Sequence, residues 1–260
     1  MPKIQAISSR ENPLLAQVRR LIRQPDGYRK HAELWLEGEH LGRAFVERHG
    51  GTGTRAVVSE AAWDEPGLRA LATHADSVAI VPAALMRDLS TLDTAAPIGF
   101  VVAWPGAGAV LCDAPSVVLD RLQDAGNVGT ILRSAAAFGF TQVIALEGTA
   151  ALWSPKVLRA AMGAHFALNL VERLPADGLD ALAVPMLATS SHAGTPLPSA
   201  TLPWPCAWLV GHEGQGLADD LVRRCAATLR IPQPGGEESL NAAIAASICL
   251  YESARRRLVA

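Results

Sequence analysis

The chain has 260 residues, half of them hydrophobic and 18% charged, with a formal net charge of −2. Such a chain can bury one large core or two modest ones, which excludes global disorder. The near-neutral balance excludes a uniformly basic nucleic-acid binder, so an anionic partner is expected to be held by local patches.

In chain order, the amino terminus MPKIQAISSRENP lacks the apolar run of a secretory signal. No apolar stretch is long and uninterrupted enough to span a membrane, so a cytoplasmic protein without membrane contact is expected. The first thirty residues carry seven cations (Lys3, Arg10, Arg19, Arg20, Arg23, Arg29, Lys30) against Glu11 and Asp26. They read either as a solvated helix face or as a phosphate-binding patch. Strand-like runs at 34–36, 55–59, 78–81 and 99–103 alternate with helical patterns near 40–48 and 66–74, giving a small α/β domain. The Gly-, Pro- and Ala-rich stretch AWPGAGAVLCDAPSV (103–117) is the expected domain boundary. Beyond it, strand-like runs recur at 116–119, 142–146, 185–189, 206–210 and 228–231 with helical patterns between them. That alternation predicts a mostly parallel sheet covered by helices. The four cysteines, Cys112, Cys206, Cys225 and Cys249, lack metal-ligand spacing and read as buried thiols in a reducing compartment.

In open α/β sheets ligands bind beyond the carboxyl ends of strands, and three such loops stand out. In LDRLQDAGNVGTILRSAAAFGF, Asn127 is placed to cap a helix whose core stripe is Val128, Ile131, Leu132, Ala135 and Phe138. Arg133 points away from that stripe, with the small Gly129, Ala136 and Ala137 beside it. It is either plainly solvated or approached closely by a ligand. In CAWLVGHEGQGLADDLVRRC, glycines 211, 214 and 216 are spaced G-x-x-G-x-G, which matches neither the dinucleotide fingerprint nor the P-loop and counts against a nucleotide-dependent dehydrogenase. They either make a tight turn or let backbone groups approach a ligand, and Glu213 is either an exposed carboxylate or an orienting group. In LRIPQPGGEESLNAAIAASICLYESARRR, Ser239 reads as the cap of a helix with Leu240, Ile244, Ile248 and Tyr251 on its apolar stripe. Asn241 is either a local capping group or part of a site. Arginines 255–257 complement the helix dipole.

Together NVGTILRSAAAFG (127–139), SPKVLRAAMGAHF (154–166), LVGHEGQGL (209–217) and IPQPGGEESLNAAIAASICLYE (231–252) resemble the SpoU (TrmH-like) family of RNA ribose 2′-O-methyltransferases within the SPOUT superfamily. ISSRENPLLAQVRRLI and LWLEGEHLGRAF resemble that family's substrate-binding extension. The resemblance implies an α/β fold with a smaller L30-like RNA-binding domain at 1–106. It implies a trefoil-knotted methyltransferase domain with a mostly parallel sheet at 107–260. It further implies S-adenosylmethionine as methyl donor without a metal, RNA as substrate (rRNA ahead of tRNA), and a homodimer through the carboxyl-terminal domain. A non-catalytic RNA-binding protein of this fold is the rival reading. The family's catalytic positions fall on Asn127, Arg133, Glu213, Ser239 and Asn241. Its donor-binding positions fall on Thr189, Ser190, Gly211, Gly216, Ile231, Pro232 and Leu240. One departure is Ile98 before Gly99, where relatives often carry Gln. Gly99 is expected to keep its conformational freedom, and the first domain reads as diverged.

Overall fold

The computed structural model describes residues 1–90, 92–190, 193–236 and 239–259. Two compact units result, Met1–Gly106 with Trp153–Phe166, and Ala107–Leu152 with Ala167–Ala260. The first contains β1 (Lys3–Ala6), α1 (Pro13–Arg23), α2 (Gly27–His31), β2 (Glu33–Glu37), α3 (Glu39–His49), β3 (Arg55–Ser59), α4 (Glu60–Trp63), α5 (Pro66–Ala72), β4 (Ser77–Val81), α6 (Ala83–Arg87) and β5 (Ile98–Ala103). The second starts with β6 (Ser116–Leu119), α7 (Ala125–Ala137) and β7 (Gln142–Leu146). After α8 (Pro155–Ala161), which groups with the first unit, it continues through β8 (Asn169–Leu174), β9 (Met186–Ser190), β10 (Thr195–Pro196), β11 (Ala207–Val210), α9 (Asp219–Arg224), β12 (Ala227–Arg230) and α10 (Ala242–Val259).

The first unit's sheet has the order β1-β4-β3-β5-β2, parallel from β1 to β3 and antiparallel at β5 and β2. Helix α1 is capped by Asn12, whose side chain accepts from Leu14 N, and Pro13 supplies a pre-set first turn. Leu15, Val18 and Leu21 then fall on one face and are buried with Trp35, Val57 and Val101. Gly99 corrects its expected role. A Cβ there would lie 2.3 Å from the Trp35 ring, so the glycine makes room for the indole inside a strand and adopts no left-handed conformation. Residues 153–166 follow the second unit's first strands in sequence but join the first unit by contact. The Phe166 ring meets Phe45 at 5.4 Å, and Arg159 lies 3.5 Å from Glu37.

The second unit's sheet has the order β10-β12-β9-β11-β6-β7-β8, and every pairing between its strands is parallel. Strands β6, β7 and β11 are buried along their whole length, which is why they read as uninterrupted apolar runs rather than alternating ones. The edge strand β8 and the two-residue β10 carried no such run and were not expected. Helix α7 buries Val128, Ile131, Leu132 and Ala135 as its period predicts. Gly129, expected beside Arg133 on the open face, is buried as well. Helix α10 packs against α7, with the Ser134 and Ser247 hydroxyls 2.7 Å apart. Its buried residues are Ala243, Ala246, Cys249, Leu250 and Ser253. The expected stripe is therefore corrected: Ile244 and Tyr251 are 53% and 52% exposed, because the face turned to the core is that of Ala243, Ala246, Cys249 and Leu250. Cysteine burial also needs correction. Cys206 and Cys249 are buried and pushed up to about 12 by desolvation, and Cys225 is half-buried and raised to about 11, but Cys112 is exposed.

Candidate active site

Strand β6 is followed by Asp120, which is buried and accepts from Ala218 N (3.0 Å) and from Nε and Nη2 of the Arg121 guanidinium (2.9 and 3.0 Å). Arg121 itself takes a left-handed conformation, φ 57°, and its Nη1 donates to Gln215 Oε1 (3.2 Å). This pairing ties the loop after β6 to the loop after β11. The second loop is a closed turn: His212 N donates to Gly216 O (3.1 Å) and Gly216 N to His212 O (2.8 Å). The His212 ring seals it, because Nδ1 accepts from Gly214 N (3.0 Å) and Gln215 N (3.3 Å). Two glycines are required by this geometry. A Cβ at Gly211 would lie 2.2 Å from Gly216 C, and Gly216 sits at φ 69°.

The turn delivers Glu213 to the start of α7. Its Oε1 accepts from Asp124 N and from Asn127 Nδ2, both at 3.2 Å, and its Oε2 accepts from Gln123 N at 3.4 Å. Helix α7 starts at Ala125 and is capped by Asp124, which accepts from Asn127 N at 2.7 Å. The expected Asn127 cap is thus corrected by three residues, and the shift frees the Asn127 side chain for other work. Its Oδ1 accepts from Asn241 Nδ2 at 2.9 Å. Asn241, not Ser239, caps α10, its Oδ1 accepting from Ala243 N (2.9 Å) and Ile244 N (3.2 Å).

These contacts form a chain with one direction. The α10 amides can only donate, so Asn241 presents oxygen to them and nitrogen to Asn127. Asn127 then presents oxygen to Asn241 and nitrogen to Glu213, a carboxylate that only accepts. Partial desolvation opposes ionisation of Glu213. Hydrogen bonds from its own backbone, Asn127, Asp124 and Gln123 outweigh it and hold the carboxyl below its ordinary range.

Beside this chain lies a cleft of about 620 Å³, at the carboxyl ends of β9, β11 and β12. It is lined by Thr189, Ser190, Gly211, Gly216, Ile231 and Leu240 of the expected donor-binding set and by Glu213 and Ser239 of the expected catalytic set. Pro232, Asn127, Asn241 and Arg133 are not among its lining residues. The Thr189 hydroxyl donates to Leu209 O at 3.0 Å and so is already engaged by the sheet. Arg133 is exposed on α7 and makes no hydrogen bond or ion pair with the described residues. The sequence reading did not single out Asp120, Arg121, His212 or Gln233. The last lines the cleft with a buried side-chain oxygen that has no hydrogen-bond partner among the described residues. Only the position of Asp120 and Arg121 at a strand end could have signalled them.

The cleft has the size of a nucleoside-sized ligand site, with apolar walls from Ile231 and Leu240, backbone edges at 211–216 and an unserved buried acceptor. These features fit S-adenosylmethionine. Among the described residues no group of three or more His, Cys, Asp or Glu could hold a metal ion.

Comparison with known proteins gives concordant results. Residues 114–251 match the family model described as the SpoU rRNA Methylase family. An uncharacterized tRNA/rRNA methyltransferase of Synechocystis sp. is 33% identical over 278 residues, covering 99% of this chain and 96% of that protein. The 23S rRNA (guanosine(2553)-2′-O)-methyltransferase RlmP of Bacillus subtilis is 38% identical over 138 residues, 52% of this chain and 56% of that protein. Among solved structures, an AdoMet-bound rRNA methyltransferase from Sinorhizobium meliloti superposes with TM-score 0.85 at 25% identity, covering 99% of both chains. The SpoU methyltransferase AviRb of Streptomyces viridochromogenes, in complex with AdoMet, gives 0.83 at 26%, covering 95% of this chain and 99% of that one.

Proposed function

The chain belongs to the SpoU rRNA methylase family, and we infer that it transfers a methyl group from S-adenosylmethionine to a ribose 2′-hydroxyl of RNA, with rRNA as the substrate. The observation that carries this reading is the meeting of three separate segments in one directed chain, Asn241 to Asn127 to Glu213, at the edge of a cleft that fits the donor.

S-adenosylmethionine bound in that cleft supplies an electrophilic methyl carried on a sulfonium. The protein's tasks are then to aim the hydroxyl and to provide for its proton. Asn127 and Asn241 each spend one amide hydrogen within the chain and have a second for a ribose oxygen. Glu213 locks the Asn127 amide in the donating orientation. Arg133 presents a planar fork suited to a phosphate oxygen pair. Its positive charge lowers the cost of the developing alkoxide while a substrate phosphate oxygen or a water takes the proton. Ser239, Thr189, Ser190, Gly211, Gly216, Ile231 and Leu240 surround the donor, and Pro232 stiffens the loop that carries Ile231.

The same reading includes a homodimer through the second unit, supported by the exposed apolar stripe of Ile244 and Tyr251 on α10. It includes the trefoil knot that the family implies, an RNA-binding role for the first unit, and a cytoplasmic location. No described helix is long and apolar enough to cross a membrane.

Mapping 2′-O-methyl sites across total RNA with and without the gene tests the proposal. The expected result is the loss of methylation at an rRNA position and its return on complementation. A change confined to tRNA replaces the substrate. No change anywhere, combined with no donor binding by calorimetry, leaves the non-catalytic RNA-binding reading.

A further inference from the structure

Most polar side chains around the donor cleft are already engaged by the protein. Thr189 donates to the β11 backbone, the His212 ring closes its own turn, and Glu213 accepts three hydrogen bonds. Gln233 is different. Its backbone carbonyl accepts from Gly236 N (3.2 Å) in the turn after β12, but its side chain lines the cleft and its Oε1 is buried with no hydrogen-bond partner among the described residues. A buried acceptor left unpaired is costly, so the position is one that a ligand completes. Ile231 and Leu240, which line the same cleft, offer apolar surface for a flat base.

Resting on the reading that S-adenosylmethionine occupies this cleft, we propose that Gln233 is the residue that selects the adenine of the donor. A carboxamide carries an acceptor and a donor side by side, which complements the exocyclic amine and adjacent ring nitrogen of adenine. Oε1 accepts from the amine and Nε2 donates to N7. Hypoxanthine carries a carbonyl where adenine carries the amine. That edge then presents two acceptors, so either orientation of the amide leaves the glutamine oxygen unpaired, a mismatch that binding sites reject strongly.

Binding of S-adenosylhomocysteine and S-inosylhomocysteine, measured by calorimetry on the full chain, decides the matter without turnover. The wild-type protein is expected to prefer the adenine form by about tenfold or more. Gln233→Leu should bind the adenine form about tenfold more weakly and the hypoxanthine form within about twofold of wild type, so that the preference collapses. Gln233→Glu keeps an acceptor and should keep the preference. Because Oε1 has no partner among the described residues, Gln233→Leu should melt close to wild type without ligand. A Gln233→Leu variant that retains the preference overturns the inference and leaves the donor reading standing. So does a marked fall in the melting temperature of free Gln233→Leu, which would make the side chain a support for its loop. If the wild-type protein binds neither ligand, the donor reading and this inference fall together.

Discussion

Helix α7 does two different things at its two ends. In its first turn Asn127 is held on every side: its backbone amide by Asp124, its side-chain nitrogen by Glu213 and its oxygen by Asn241. Two turns later Arg133 is exposed and has no partner among the described residues. Other arginines of the same unit are pinned, Arg121 by Asp120 and Arg256 by Glu252. The contrast separates two kinds of functional group. Those that aim a small hydroxyl gain from being fixed before the substrate arrives. A group that must meet a flexible, fully charged backbone gains from being left without an internal competitor for its fork.

Substitutions at the two ends should therefore fail in different ways. Arg133→Lys keeps the charge and loses the fork, so kcat/KM should fall about a hundredfold while the unfolding midpoint stays within about 1 °C of wild type. Near-normal methylation by this variant would erase the distinction. Asn241 permits a finer cut. Asn241→Asp keeps the oxygen that caps α10 and improves the charge at the helix start, but it sets a carboxylate oxygen against Asn127 Oδ1. Activity should drop about tenfold with stability unchanged or higher. Asn241→Ala loses both roles. It should cost about 1 kcal/mol in capping, a fall of about 2–4 °C in melting temperature. Unchanged activity in Asn241→Asp would mean that the chain of amides is only a helix cap.

A second comparison runs between cations of the first unit. Arg10, Arg43, Arg55 and Arg159 are ion-paired with Asp88, Glu39, Glu33 and Glu37. Arg20 and Arg23 are exposed in the last turn of α1, where they favour the helix dipole and have no acidic partner among the described residues. If they also contact RNA phosphates, the double change Arg20→Ala, Arg23→Ala should weaken RNA binding a few-fold and reduce the salt slope of log K by about 1 to 2. Donor affinity should not move. An unaltered slope would return these residues to a purely local role.

The strands of the second unit were legible because full burial on both faces leaves continuous apolar runs, as in SVVL at 116–119 and AWLV at 207–210. Helix α7 was legible in its stripe but not in its cap, since both Asp124 and Asn127 are good capping residues and only the backbone decides between them. Helix α10 misled because two of the apolar residues on its expected stripe, Ile244 and Tyr251, are exposed while Ala243, Ala246, Cys249 and Leu250 are buried. Periodicity finds an apolar face but cannot say whether that face meets its own core or something outside it. The meeting of Asn127, Glu213 and Asn241 was reached through family likeness, and the direction of their hydrogen bonds was not legible at all. It depends on residues more than eighty positions apart. His212 and Gln233 gave no signal, since a lone histidine or glutamine in a loop is ordinary.

The pinned arginine supplies the control for the unpinned one. Glu252 Oε1 and Oε2 each lie 2.8 Å from a guanidinium nitrogen, of Arg256 and Arg255 respectively, and Arg256 also donates to Leu197 O at 2.9 Å, tying α10 to the segment after β10. The hydrogen bond from Arg255, together with the weaker pull of Arg256, outweighs desolvation and holds the Glu252 carboxyl at about 2. A carboxyl depressed in the folded state stabilises the fold fully above its ordinary pKa of about 4.3, and that contribution fades as the pH falls toward the folded value. Glu252→Gln should thus lower stability near neutral pH by about 1 kcal/mol or less, since both arginines are partly solvated. The gap between variant and wild type should narrow steadily in melts from about pH 5 down to pH 2. Methylation should be unaffected. Any gain or loss of activity in Glu252→Gln would mean that freedom from an acidic partner is not what sets Arg133 apart.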